Sequence, residues 1–197
     1  MLRQVIVTVM GNVDAGKTQL LDMIRNTAVV ESEPGRITQS IGCSMIFFDT
    51  IKKICSHLLE KSKLELKIPG FVMIDTPGHA SFTSLRKRGG NLADIAILVV
   101  DINEGIKVQT EECIEILKQY KTPFVVALNK IDMLQSWQPD PNISLIENIN
   151  KQNQSAIMAL EKKLYEVVGR LSELVFNAER FDRVEDYTKQ VAIIPIS

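Results

Sequence analysis

Gly11-Asn-Val-Asp-Ala-Gly-Lys-Thr18 sets two glycines, a lysine and a hydroxyl in the spacing G-x-x-x-x-G-K-[ST]. Glycines let a backbone wrap closely around a phosphate, and the N–H groups of such a loop and of the helix that follows face its oxygens. Lys17 is expected to reach the β- and γ-phosphates of a nucleotide, and the Thr18 hydroxyl to hold Mg²⁺. Asn12, Val13, Asp14, Ala15 and Gly16 would line the phosphates between them. The pattern alone leaves ATP and GTP undecided.

Asn129-Lys-Ile-Asp132 bears on the base. A carboxylate only accepts hydrogen bonds. Guanine offers two neighbouring donors, N1–H and the 2-amino group, whereas adenine presents a lone pair at N1 and no 2-amino group. Asp132 would therefore favour guanine, because a desolvated carboxylate left unpaired is costly. Lys130 has an aliphatic stem long enough to cover a base face. Asp75-Thr-Pro-Gly-His79 ends another apolar run. Asp75 is suited to a water on Mg²⁺, and Gly78 to giving its backbone N–H to the γ-phosphate. His79 is suited to orienting an attacking water, since phosphoryl transfer needs little beyond such positioning and charge stabilisation.

These motifs need strands ending in loops to carry them. Short apolar runs at Gln4–Met10, Gly70–Asp75, Ile95–Asp101, Phe124–Asn129 and Val191–Ile196 read as buried strands. Helical patterns fall at Lys17–Asn26, Phe82–Arg88, Val108–Tyr120 and Ser155–Phe176. Strands alternating with helices predict an α/β fold: a mostly parallel, doubly wound sheet with helices on both faces. Ser44–Phe48 reads as an extra edge strand. Gln135–Asn150, rich in Pro, Asn and Ser, reads as an irregular loop. The stripe Ile157, Leu160, Leu164, Val167, Leu171, Leu174 that follows predicts an amphipathic helix, too short for a sustained coiled coil.

Composition narrows the class. The 197 residues fit one domain, and 45% hydrophobic against 24% charged residues is ordinary for a globular chain. Twenty-three basic and 24 acidic residues give a net charge of −1, so no global pull toward nucleic acid or membrane follows. No apolar run is long enough to span a bilayer, and Met1 stands too near the first strand for a signal peptide. Three cysteines and two histidines exclude a disulfide framework and disfavour zinc, which points to a reducing cytoplasm.

With these residues in place, the chain resembles the translational GTPases, within them the archaeal and eukaryotic initiation factor 5B type, the counterpart of bacterial initiation factor 2. Besides DTPGH, the resemblance rests on Gly35-Arg-Ile-Thr-Gln-Ser-Ile-Gly42, Leu85-Arg-Lys-Arg-Gly-Gly90, Asp101-Ile-Asn-Glu-Gly105 and Glu179-Arg-Phe-Asp-Arg183. It implies a P-loop G domain over 1–197 with a family-type insertion over 133–183. It also implies Mg²⁺-dependent hydrolysis of GTP to GDP as a ribosome-stimulated switch in translation initiation. Thr38 would then be the switch threonine, closing on Mg²⁺ and the γ-phosphate, so that Lys17, Thr38 and His79 carry the chemistry and Thr18, Thr38 and Asp75 the metal. Val13 and Ile37 would flank the path of His79, and Asp14 would help bind a monovalent cation beside the phosphates. Arg86, Lys87 and Arg88 would either face ribosomal RNA or form a solvated helix face.

The resemblance has departures. Asn12 stands where the family has His, Ala15 where His or Thr is common, and Arg36, beside Pro34, where a switch glycine is usual. Val191–Ser197 matches the strand leading to the fifth nucleotide motif, with Ser197 as its serine. The G domain's last helix is expected to be missing, so that Val191, Ile193 and Ile194 include side chains that would meet water. Initiator tRNA and other initiation factors are expected to be met only through domains absent here, and no membrane partner is expected. A fragment and a chain completed by a second polypeptide both stand as accounts of that end. Two other functions stay open: a nucleotide-binding or docking module without useful turnover, and an elongation-type GTPase.

Overall fold

The computed structural model describes residues 3–31, 39–40, 43–62, 67–75 and 93–197, with backbone only at 28–31, 39–40, 57, 61–62 and 75. The chain divides into two compact units. The first comprises Met1–Met10, Lys17–Ala96 and Leu117–Pro123; the second comprises Gly11–Gly16, Ile97–Ile116 and Phe124–Ser197.

In the first unit, β1 (Val5–Gly11, entering the second unit at its last residue) lies beside β4 (Gly70–Asp75) in parallel, with Val5 opposite Phe71 and Val9 opposite Asp75. Their apolar, β-branched content suits burial on both faces. β3 (Cys43–Phe47) runs antiparallel to β4, and the two-residue β2 (Gln39–Ser40) antiparallel to β3, giving the order β2-β3-β4-β1. The expected strand at Ser44–Phe48 is thus present one residue earlier, but it is not the edge, because β2 covers its outer side. α1 (Lys17–Glu31) extends beyond the expected Asn26. Its Leu21 is fully buried with Val7, Val9, Ile46 and Met73, and its Arg25 Nε donates to Ser44 Oγ at 2.6 Å. Two short helices, α2 (Phe48–Ile54) and α3 (Ser56–Ser62), follow β3. The helix expected at Phe82–Arg88 lies outside the described residues.

The second unit orders its strands β5-β6-β8-β7: β5 (Ile95–Asp101, entering this unit at Ile97), β6 (Phe124–Asn129), β8 (Val191–Pro195) and β7 (Ala178–Arg180). β8 is parallel to both neighbours. Of the three side chains expected to include exposed ones, Val191 and Ile193 are buried and Ile194 is half-buried. α4 (Val108–Tyr120) has the bounds its periodicity predicts. α6 (Gln154–Glu173) is the expected amphipathic helix, started by Asn153, whose side chain accepts from the Ala156 N–H. Ala156, Leu160, Leu164, Val167 and Leu171 form its buried face. Each large aliphatic side chain buried in this way contributes about 1.5–3 kcal/mol relative to exposure. Phe124 and Phe176 meet edge to face at 5.1 Å.

The stretch expected to be an irregular loop contains a helix, α5 (Leu145–Lys151). Ser144 caps it, accepting from the Glu147 N–H while Glu147 reaches back to the Ser144 N–H at 3.0 Å. Gln152, itself buried, acts as a surrogate peptide: its Oε1 accepts from the Gln138 N–H and its Nε2 donates to the Gln138 carbonyl. The preceding loop is held down by these bonds and by buried Trp137. Among the described residues no helix is long and apolar enough to cross a membrane.

Candidate functional site

The loop after β1 owes its path to glycine at two points. Gly11 has φ 141°, and a Cβ there would lie 2.2 Å from the Val99 carbonyl oxygen, so the close approach of two backbones forbids any side chain. Asn12 then caps a single 3₁₀ turn, Val13–Ala15, its Oδ1 accepting from the Val13 N–H at 2.8 Å. Gly16, at φ 93°, closes the turn in the left-handed region and hands the chain to α1 at Lys17. Ala15 is fully buried, while Val13 is 70% exposed and Asp14 exposed. An apolar side chain held out at a loop suits the flanking role that the family resemblance gives Val13.

The base-side motif is tied to that loop. Asn129, the buried last residue of β6, donates from Nδ2 to the Ala15 carbonyl at 2.8 Å and accepts at Oδ1 from the Lys130 N–H at 2.8 Å. It is therefore a latch between strand end and loop, with one amide hydrogen left for a ligand. Lys130 adopts the left-handed conformation at φ 67°, uncommon for a residue with a side chain. Its Nζ lies 2.7 Å from Asp101 Oδ2 at the end of β5. Asp132 is exposed in the 3₁₀ turn that follows, and its Oδ1 accepts from Ser197 Oγ at 2.6 Å. Asp132 and Ser197, drawn from two nucleotide motifs in distant parts of the sequence, thus touch.

The charges around Lys130 support one another. Burial is the largest effect on Asp101 and would raise its pKa. Hydrogen bonds from Lys130 and from the Asn103 and Glu104 backbones outweigh it and hold the carboxyl below the ordinary carboxylate value. The Lys130 ammonium is held above its usual value, first by the hydrogen bond to Asp101 and further by the fields of Asp101, Glu104 and Asp14. Glu104 also meets the loop, accepting from Asn12 Nδ2 at 3.4 Å, and pairs with Lys107 at 2.6 Å. Asp101 and Glu104 were read from the sequence only as part of a family motif. Nothing in their spacing marks a contact with Lys130 or Asn12.

In the first unit, Lys17 is half-buried at the start of α1 and Thr18 is exposed beside it. Asp75 ends β4. Thr38, Gly78 and His79 lie outside the described residues, as do Pro34, Arg36, Ile37 and Arg86–Arg88. Among the described residues no group of three or more His, Cys, Asp or Glu could cage a metal. An exposed threonine hydroxyl and a strand-end aspartate are nevertheless the oxygen ligands that Mg²⁺ takes together with substrate phosphates and water, rather than a protein-only cage.

Comparisons with known proteins place the chain in a family. The family model described as the elongation factor Tu GTP binding domain matches residues 2–197. The chain is 55% identical to the "Probable translation initiation factor IF-2" of Thermococcus sibiricus, covering 100% of this chain and 33% of that protein. It is 56% identical to the protein of the same name from Sulfolobus acidocaldarius, again over 100% and 33%. The crystal structure of GDP-bound aIF5B from Aeropyrum pernix superposes with a TM-score of 0.92 at 49% identity, covering 100% of this chain and 33% of that one. The chain belongs to the elongation factor Tu GTP-binding-domain family, and its fold is the mostly parallel α/β P-loop G domain. It spans about a third of the length of the curated relatives it matches.

Proposed function

We propose that this chain is a Mg²⁺-dependent GTP-binding and GTP-hydrolysing module that acts with the ribosome in translation initiation, in a cytoplasmic setting. The observation that carries the reading is the linked cluster in which Asn129 latches the phosphate loop while Asp132 stands exposed beside Ser197. That arrangement suits a guanine base at one end and phosphates at the other. The similarity to IF-2 proteins and to a GDP-bound aIF5B supports the same function.

In this reading Lys17 holds the β- and γ-phosphates, and the backbone of Asn12–Gly16 cradles them. Gly78 gives its N–H to the γ-phosphate, and His79 orients the attacking water. Thr18 and Thr38 would hold Mg²⁺ directly and Asp75 through water, the ion neutralising charge on the phosphate oxygens when bound. Asp14 serves a monovalent cation, and Asp132 with Ser197 reads guanine.

GTP turnover with and without ribosomes tests the reading. His79→Ala is expected to leave GDP affinity nearly intact and to lower stimulated hydrolysis by about 10²–10⁴. Tight GDP binding with no stimulated turnover in the unsubstituted chain would favour a docking module. Loss of GDP binding in His79→Ala would remove its role as water-orienter.

A further inference from the structure

We infer that Asp101 is a positioning residue for the guanine end of the site, fixing Lys130 through its ammonium. The inference rests on the nucleotide-binding reading above. Asp101 is nearly buried, with 8% of its side chain exposed, and both of its oxygens are engaged. Oδ2 takes the Lys130 ammonium at 2.7 Å, and Oδ1 takes the Asn103 N–H at 2.8 Å. Its own carbonyl accepts from the Gly105 N–H at 2.8 Å, closing the turn that carries Glu104 to Asn12 of the phosphate loop. One carboxylate therefore ties a base-side residue to a turn that leans on the phosphate side.

Lys130 needs such a tie for two reasons. Its stem has four rotatable bonds, and a stem that is to lie along a planar base must be held in one direction before the base arrives. Its backbone is also in the left-handed region, which persists only where neighbours over-determine it. The Asn129 side chain fixes the Lys130 N–H, and Asp101 fixes the other end of the residue. Anchored at both ends, the stem has little freedom left. Glu104 and Asp14 add their fields to the same ammonium but make no hydrogen bond to it.

The test measures release of fluorescent GDP from the chain and from Asp101→Asn, Lys130→Met and the double variant, with thermal melting as a control. Asp101→Asn can still accept from Asn103 but loses the charge, and release is expected to be about tenfold faster, the effect of losing a charged hydrogen bond. If Asp101 acts through Lys130, the double variant releases no faster than Lys130→Met alone. Fully additive losses would overturn the inference and leave Asp101 as a brace for its turn only. Wild-type release from Asp101→Asn would overturn it too. Asp101→Glu keeps the charge on a longer arm and is expected to restore slow release; failure to do so while the protein melts normally also counts against the inference. Failure of the underlying nucleotide reading looks different: the unsubstituted chain would not retain GDP, and Lys17→Ala would change nothing.

Discussion

Lys130 and Arg180 are both cations held by carboxylates in the second unit, but their surroundings differ. Arg180, 8% exposed on β7, grips both oxygens of Asp182 through Nε and one terminal nitrogen, and Glu161 of α6 through the other. Arg183 completes the set by donating to both oxygens of Glu161 and to the Tyr165 hydroxyl. The carboxylates and guanidiniums satisfy one another inside the chain. Lys130 is held by the single carboxylate of Asp101 among the described residues, and the neighbouring Asp132 is exposed, its Oδ1 accepting from Ser197. A saturated cluster ties elements of the fold together; an incompletely satisfied one at strand ends has acceptors to offer a ligand.

This contrast can be broken by substitution. Asp132→Asn replaces an acceptor with a donor at the open cluster and is expected to move preference from GDP toward XDP by about 10²-fold or more, because xanthine offers an oxygen at its 2-position. Competition against labelled GDP reads it, and the melting temperature should hardly move. An unchanged selectivity would remove Asp132 from the base pocket. Arg180→Ala attacks the closed cluster and should do the reverse. It strands the partly buried Asp182 carboxylate and leaves Glu161 to Arg183 alone, at a cost of about 2–3 kcal/mol, lowering the melting temperature by roughly 5–10 °C without altering guanine preference. A change in selectivity there would erase the distinction between the two clusters.

Acid sharpens the comparison with a smaller effect. The hydrogen bond from Arg180 is the main cause holding the Asp182 carboxyl below its ordinary value. A carboxyl lowered on folding contributes stability that is present above its unfolded pKa of about 4 and lost as pH falls through the folded value. Chemical denaturation from about pH 5 downward should therefore show stability falling, and Asp182→Asn should flatten that fall. Arg183, raised by its hydrogen bond to Glu161, is protonated throughout this window and adds no slope of its own. An acid limb identical in the wild type and Asp182→Asn would mean the cluster is not formed in solution.

Much of this was readable from residues alone, for identifiable reasons. β4, β5, β6 and α4 have the bounds expected of them because contiguous apolar runs and a clear helical period override context. β7 was not legible: three residues including Glu179 and Arg180 become a strand only by pairing with β8. α5 was hidden by the Pro- and Asn-rich composition before it, although Ser144-x-x-Glu147 is a capping-box signature that could have revealed it. At the site, loop and base motifs were legible because their spacing is chemical. The Asp101–Lys130 pair was not, since only the folded ends of β5 and β6 bring those side chains together.

Gly11 and Lys17 belong to one short motif, yet they answer to different demands. The Val99 carbonyl 2.2 Å from where a Cβ would sit makes Gly11 a requirement of the fold, whatever binds beside it. In the proposed function Lys17 answers to the phosphates. In a descendant that had stopped binding nucleotide, the lysine could drift while the glycine could not. A loop that keeps its first glycine and has lost its lysine would then be a fossil: architecture outliving the ligand it once served.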